Sequence, residues 1–489
     1  MKHNAWTALL LLCAMFTVSC ADGGAASDDT MAADTGTAAA AETEAESTRI
    51  AVEPAATDYA GAEFHIINYD NATDNQWTGI PDDIFCEEES GDMLADAVYQ
   101  RNRAVEEALN IRITMEKMVA AVMPDNIRKS VMAGNTDYDA AFPSMIQLST
   151  LINGGLVTDL YTLDGLDLSY PWWDQNSVEL MTVSGRLFSV VSDITFIDKL
   201  SCYVVYFNKE MAEQNDIGDL YGMVEAGEWT FDAMMALSQD VSRDINGDGT
   251  FDEQDSYGLS SQNDIIYVML HSAGARICEN ETDRITYALG DALAVDVLEN
   301  TFEMMADKQR FFNRQEFNLT VADGINMMID NRTLFLTRPV QTVMALRDMK
   351  ADFGIIPYPK YDAAQDAYYT AVNPYAATTM VVPRVIENET MTADVLQMLA
   401  CESYYTVMEP FYNLVLDTKL VRDEQAAEML DVIFDSRMYD IGLICNFANI
   451  FTTLVNSGGS VVASLVEANE SKVTKAVEDF WDSVTAYEE

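Results

Sequence analysis

Between Asp244 and Asp255, oxygen-bearing side chains recur at the spacing a hard cation needs. Asp244, Asn246, Asp248, Thr250, Asp252 and Asp255 occupy positions one, three, five, seven, nine and twelve of a twelve-residue stretch, the pattern of an EF-hand loop. Calcium takes about six to eight oxygens, which the carboxylates, the Asn246 amide and the Thr250 carbonyl supply, while Gly249 permits the tight turn. Asp255 stands where the common loop carries Glu, so the last ligand is shorter. The expected ion is a structural calcium that takes no part in catalysis. The alternative is a polar turn built on Asn246-Gly247 and Asp248-Gly249 without metal.

Other chemistry is narrowed by what the chain lacks. It has 489 residues, with 28 Lys and Arg against 80 Asp and Glu, a formal charge of −52 that repels phosphate backbones and excludes nucleic acid as a partner. Three histidines leave only His65 and His271 beyond the leader. No G-x-S-x-G, H-E-x-x-H, Walker loop or G-x-G-x-x-G is present, so hydrolase, protease, nucleotidase and dinucleotide readings have no handle. Cys86, Cys202, Cys278, Cys401 and Cys445 are widely spaced with no C-x-x-C, which predicts buried thiols rather than a disulfide framework.

Lys2 and His3 precede an apolar run from Ala8 to Val18, too short to span a bilayer but suited to a signal peptide over residues 1–19. The run ends in Thr17, Val18, Ser19 and Cys20, which resembles a lipobox, although Thr17 stands where such sites usually carry Leu; the resemblance implies lipidation at Cys20. Residues 21–60 hold fourteen Ala, nine acidic residues and one basic residue, with no aromatic before Tyr59. Such a segment buries too little apolar surface to offset its ordering entropy, so 20–60 reads as a lipidated Cys and flexible acidic linker.

The elements that must position any site begin at Ala62. The run from Ala62 to Asn68 predicts a strand, with His65 as a satisfied structural residue; Asp92 to Leu109 carries Leu94, Val98, Arg101, Val105 and Leu109 at helical spacing, and Asn110 to Thr114 alternates again. Strand, helix, strand is the signature of a parallel α/β sheet. Further strands are predicted at Tyr138 to Phe142, Leu187 to Val191, Tyr203 to Phe207, Arg332 to Leu336 and Phe353 to Ile356. Helices are predicted near 125–133, 144–153, 231–241, 264–274, 290–307, 393–402, 424–434 and 471–485. Thr230 reads as a helix cap preceded by a core Trp229.

Several segments, in order, resemble the extracellular solute-binding proteins of ABC importers, in particular the carbohydrate branch that includes maltose-binding protein. They are Arg101-Asn102-Arg103, Asp137-Tyr138-Asp139, Gly185-Arg186-Leu187-Phe188, Tyr206-Phe207-Asn208-Lys209, Trp229-Thr230-Phe231-Asp232, Tyr257-Gly258-Leu259 and Gly354 to Pro359. The resemblance implies an α/β, two-lobed periplasmic-binding-protein-like fold with a hinge and an interlobe ligand cleft. It places the first lobe at 61–192 plus 375–422 and the second at 193–374 plus 423–489. Crossovers are expected near Ser192 to Cys202, Ala371 to Thr379 and Val421. The implied partners are a sugar or oligosaccharide and an ABC-transporter permease, with membrane contact only through the lipid anchor of a monomer at the bacterial cell surface.

Sugars present apolar ring faces rimmed by hydroxyls, so their sites combine aromatic platforms with carboxylates, amides and Arg. The ligand-binding candidates are Trp77 in the polar loop after the first strand, Phe142, Asp193 at the first crossover, Arg338 and Gln341 after the Leu334 to Leu336 strand, and Tyr375 beside Asn373 at the second crossover. Trp172 and Trp173 are adjacent, so at most one lines a cleft. A secreted carbohydrate-active hydrolase and a calcium-binding surface adhesin are the alternative readings; the first needs a carboxylate pair about 5 to 10 Å apart, the second would show tandem modules.

Overall fold

The computed structural model describes residues 58–486 except 78, 348, 417–423 and 460, together with Arg49, Ile50 and Val52. The expected signal peptide, Cys20 and most of the acidic linker lie outside the described residues. Contacts divide the chain into Met1–Ala51, of which only Arg49 and Ile50 are described, and Val52–Glu489, which contains every described helix and strand.

Three parallel strands form the first sheet, β1 (Ala62–Tyr69), β2 (Ile111–Met118) and β3 (Ala140–Phe142), in the order β2-β1-β3. The predicted helix connects β1 to β2. Asp92 caps Met93–Leu109 by accepting from the Leu94 and Ala95 N–H groups, Asn110 ends it in the left-handed region at φ 48°, and the Leu94, Val98, Val105 and Leu109 stripe is buried. Arg101 lies in that stripe at 1% exposure because carbonyls surround its guanidinium. Nη1 donates to Asp83 O at 3.1 Å and Ile194 O at 2.9 Å, and Nη2 donates to Ile84 O at 2.5 Å. One cation thus ties the helix to the loop after β1 and to the first crossover.

A mixed five-stranded sheet comes next. Its members are β4 (Tyr203–Asn208), β5 (Tyr257–Ser261), then, after the hairpin β6 (Cys278–Glu281) and β7 (Arg284–Tyr287), β8 (Phe311–Asn313), β9 (Thr333–Pro339) and β10 (Phe353–Ile356). Their order is β10-β4-β9-β5-β8, antiparallel across β10, β4 and β9 and parallel across β9, β5 and β8. All six residues of β4 are buried, as its unbroken apolar run requires of an interior strand. Trp229 is fully buried, its indole N–H bonded to Pro357 O at 2.9 Å, and Thr230 caps the helix Phe231–Gln239.

Two of the three expected crossovers run side by side between the sheets; the third, near Val421, lies outside the described residues. Cys202 bridges Val372, and the Asn373 N–H donates to Ser201 O at 3.0 Å; a few residues on, Val381 bridges Ala141 beside β3. A short parallel pair, β11 (Thr370–Ala371) with β12 (Arg437–Met438), brings the C-terminal part of the chain to this junction. The strand predicted from Leu187 to Val191 forms no ladder among the described residues. Its partner segment divides single bridges among Ala141, Ser144, Val157 and Val190, so no continuous register develops.

The remaining aromatic and thiol expectations resolve locally. Trp172 and Trp173 are both buried, so neither lines a cleft. His65 shares a hydrogen bond with Asp137 O at 2.9 Å, and His271 is packed at 1% exposure against Asp440 at 3.1 Å. Cys86, Cys202, Cys278, Cys401 and Cys445 are free thiols.

Candidate functional site

A cavity of about 1170 Å³ opens where the parallel strands end. It is lined by the loop after β1 (Asp74, Asn75, Gln76, Trp77), the turn after β5 (Gln262, Asn263, Asp264), Gln315 beyond β8, and Arg338 and Pro339 at the end of β9. In α/β sheets the carboxyl ends of parallel strands are where chain direction reverses, so loops diverge there and leave room for a ligand. Gln341, Asn373, Tyr375 and the helix Ile450–Ser457, through Phe451, Thr452 and Val455, complete the wall with the start of the helix Val321–Ile329. Among the described residues, Asp74, Asp264 and Arg338 are its only charged lining side chains.

Two aromatic residues are fixed together at one end. Asp70 caps the short helix Asn71–Asp74, accepting from Thr73 N at 3.0 Å, and Gln76 takes a left-handed φ of 57° that sets the direction of Trp77. Asn71 Nδ2 donates to Ala376 O at 2.8 Å and Asn75 Nδ2 to Tyr375 O at 3.3 Å. These amides tie the Trp77 loop to the crossover that carries Tyr375. Trp77 is half-buried and Tyr375 is 38% exposed, so both keep ring surface for a ligand.

The polar corner is a connected network. Tyr203 OH and Gln262 Nε2 both donate to Asp264 Oδ2, and Gln262 Oε1 accepts from Arg338 Nη1 and, at 2.9 Å, from Arg314 Nε. Burial, and next the Asp264 charge, push the Tyr203 phenol well above its usual range, so it remains a donor. Burial and the neighbouring Arg338 charge lower the Arg314 pKa. Arg338 Nε is buried without a hydrogen-bond partner among the described residues. The arrangement places a guanidinium donor and a carboxylate acceptor on the same wall, a combination suited to hydroxyl groups.

Of the six residues predicted to bind ligand, Trp77, Arg338, Gln341 and Tyr375 line this cavity. Phe142 and Asp193 do not. Phe142 is fully buried at the end of β3, opposite Asn68 of β1, and serves the core. Asp193 is ion-paired to Lys199 at 2.8 Å, in a cluster with Asp198, Asp174 and Arg437 at the crossover. Sequence reasoning missed Gln262, Asp264 and Phe451. The polar triplet Gln262-Asn263-Asp264 directly after a strand was the available signal for the first two; Phe451 had none, because its helix reaches the cavity only through tertiary packing.

In the 244–255 loop, Asp244 accepts from Gly247 N at 2.7 Å and Gly249 N at 2.8 Å, and Asp255, fully buried, accepts from Ile245 N at 2.8 Å and Asp252 N at 2.9 Å. Asp248 and Asp252 accept from Thr250 N and Gln254 N, each at 2.8 Å. The donor set is all oxygen, which suits calcium, and the first and last carboxylates point into the loop. Among the described residues no three His, Cys, Asp or Glu side chains converge as a metal-binding group.

No protein-family model matches the chain, and no curated protein sequence matches it. Solved structures do. A cyclo/maltodextrin-binding protein complexed with maltotetraose is similar over 88% of this chain and 100% of its own, with TM-score 0.56 and 11% identity. A cyclic alpha-maltosyl-1,6-maltose binding protein from Arthrobacter globiformis is similar over 86% and 100%, with TM-score 0.56 and 12% identity. A sugar transporter from Rhizobium etli in an open conformation is similar over 88% and 100%, with TM-score 0.55 and 12% identity. At these identities the likeness is one of fold, a periplasmic-binding-protein-like α/β fold resembling that of ABC-transporter sugar-binding proteins.

Proposed function

We propose that the protein captures a sugar or oligosaccharide in the cavity at the ends of β1, β5, β8 and β9 and delivers it to an ABC-transporter permease without turning it over. The observation that carries this reading is the pairing of Trp77 and Tyr375 with the Arg338 and Asp264 corner in one cavity. Aromatic faces suit sugar rings and the charged pair suits their hydroxyls. The cavity volume exceeds the roughly 300–1,000 Å³ of most small-molecule sites, which favours a ligand of several rings. The sugar-binding proteins of similar fold support the same class of ligand.

In this reading 61–192 plus 375–422 and 193–374 plus 423–489 act as lobes that close on the solute about the Cys202 and Val372 crossovers. Cys20 carries lipid and holds the protein at the outer face of the cell membrane, the acidic segment serving as tether. The 244–255 loop binds a structural calcium, for which the ligand spacing and the inward Asp244 and Asp255 speak. The protein works as a monomer.

Thermal-shift titration against neutral mono- to tetrasaccharides, followed by small-angle scattering with the strongest binder, tests the function. A raised melting temperature, compaction on binding and recovery of intact sugar are expected. Sugar cleavage by purified protein, or an unchanged scattering profile at saturation, overturns it. Mass spectrometry of the native N-terminus tests lipidation at Cys20.

A further inference from the structure

Gln262 sits at 8% exposure between Arg338 and Asp264, two of the three charged groups of the cavity wall, and its amide is engaged at both ends. Oε1 accepts from Arg338 Nη1 and from Arg314 Nε, while Nε2 donates to Asp264 Oδ2. Only one orientation of the amide satisfies these neighbours, since the reverse would turn its NH₂ toward two guanidinium donors and its oxygen toward a carboxylate. An amide carries its acceptor and its donors on opposite sides of one rigid plane, so it accepts from the cations on one side and donates to the anion on the other. The Asp264 donors both reach Oδ2, so Oδ1 receives neither Tyr203 nor Gln262, and Arg338 keeps a buried Nε–H without a partner among the described residues. Gln262 therefore holds the Arg338 guanidinium and the Asp264 carboxylate on one wall, with neither Tyr203 nor Gln262 on Asp264 Oδ1.

We propose that Gln262 is a positioning residue that couples Arg338 and Asp264 into one unit reading two neighbouring hydroxyls of the bound sugar. This rests on the reading of the cavity as a sugar site. The unit selects for groups that accept from Arg338 and donate to Asp264 together, which a polyol does and a carboxylate or an ammonium does not. Without the amide, Arg338 loses an acceptor and Asp264 a donor, and neither group is held at the spacing the hydroxyls need.

Gln262→Leu and Gln262→Glu separate this role from folding. Both variants are compared with wild type by melting temperature, by phenylglyoxal labelling of Arg338 read by peptide mapping, and by calorimetric titration with the strongest binder among maltose, maltotetraose and a cyclic maltodextrin. In Gln262→Leu, Arg338 labelling without sugar is expected to quicken about fivefold and affinity to fall about 10- to 100-fold, the loss expected for misplaced charge-assisted hydrogen bonds. Gln262→Glu keeps the acceptor for both arginines but sets a carboxylate against Asp264, so affinity is low near neutral pH. Acid that protonates one of the two carboxylates returns an O–H donor to the pair, so the affinity recovers relative to wild type as pH is lowered. A merely structural role does not produce that recovery. Unchanged labelling in a folded Gln262→Leu protein, unchanged affinity in both variants, or a loss in Gln262→Glu that acid does not relieve, overturns the positioning role while leaving the sugar reading intact. Absence of wild-type binding to all three sugars overturns the reading on which the role stands, even where the labelling rate changes.

Discussion

Arg437 and Asp174 stand 263 positions apart and meet as a buried ion pair, the guanidinium Nε lying 2.7 Å from Asp174 Oδ2. Tyr439 OH donates to the same oxygen at 3.0 Å, and Asp174 also caps the helix Gln175–Met181 through Ser177 N at 2.9 Å. Asp198 lies 3.6 Å from both Arg437 Nε and Lys199 Nζ, yet neither of its oxygens has a hydrogen-bond partner among the described residues. Two carboxylates beside one cation thus have opposite environments.

Their pH dependence should differ in sign. Burial pushes the Asp174 pKa up, but the Arg437 charge and the donors outweigh it and hold the group below the usual value. Its stabilisation is complete above the unfolded pKa of about 4 and is lost as pH falls through the lower folded value. Burial raises Asp198, only partly opposed by Lys199 and Arg437, so its contribution declines as pH rises from about 4 through its higher folded value. Asp174→Asn is expected to cost about 3–5 kcal/mol at neutral pH by leaving Arg437 underpaired, whereas Asp198→Asn should hold or gain stability and remove the decline with rising pH. Urea unfolding from about pH 3 to 8 measures both. Equal losses in the two variants at neutral pH would contradict the assignment.

Aromatic residues at the cavity and in the core should separate binding from folding. Trp77→Ala and Tyr375→Ala are each expected to weaken sugar binding about 10-fold or more with only a small change in melting temperature. Phe142→Ala should cost about 3–5 kcal/mol of stability and leave affinity unchanged where the variant is folded. Calorimetric titration beside thermal melts distinguishes the cases, and an affinity loss confined to Phe142→Ala would reverse them.

Calcium should raise the melting temperature without entering solute recognition. At free calcium about a hundredfold above the dissociation constant, linkage gives roughly 2.7 kcal/mol. Asp248→Ala deletes the central carboxylate and should abolish most of the difference between melts in calcium and in chelator, with sugar affinity nearly unchanged. Identical wild-type melts in the two buffers would eliminate the ion.

Gly258 marks a contact between β5 and the helix Phe231–Gln239. A Cβ there would lie 2.0 Å from Ser238 O, a backbone atom that cannot rotate away. Gly258→Ala is expected to cost about 1–3 kcal/mol or more and, because Gln262 and Asp264 lie just beyond the same strand, to weaken sugar binding as well. Stability and affinity measured on one preparation check this; a neutral effect on both would show that the helix moves aside freely.

Local pattern made much of the fold legible. The strand at Ala62, the helix capped by Asp92, the buried strand Tyr203 to Phe207 and the Thr230 cap are fixed by side-chain periodicity and by hydrogen bonds within a few residues. The final helix was legible only from residue 471, whereas it begins at Val462. Gly458 and Gly459 hide its start, and the burial of Val462 and Val466 comes from packing. The short strands Tyr257–Ser261 and Phe311–Asn313 were missed because too few residues alternate for a period to show, and their pairing with β9 and with each other supplies the order.

The sequence by itself determined the acidic charge, the oxygen spacing of the 244–255 loop, the alternation of strands and helices, and a set of aromatic and polar candidates, all of which depend on residue type and near neighbours. Tertiary structure alone decided which candidates meet. Phe142 and Trp77 are both aromatic residues near strand ends, but β3 pairs with β1 and seals Phe142 in the core, while the Asn71 and Asn75 amides hold the Trp77 loop at the cavity. Asp193 and Asp264 are both acidic residues next to apolar elements, yet Lys199 neutralises the first and Gln262 and Tyr203 hold the second at the cavity wall. Such choices rest on contacts between residues far apart in the chain, and distance in sequence carries no trace of them.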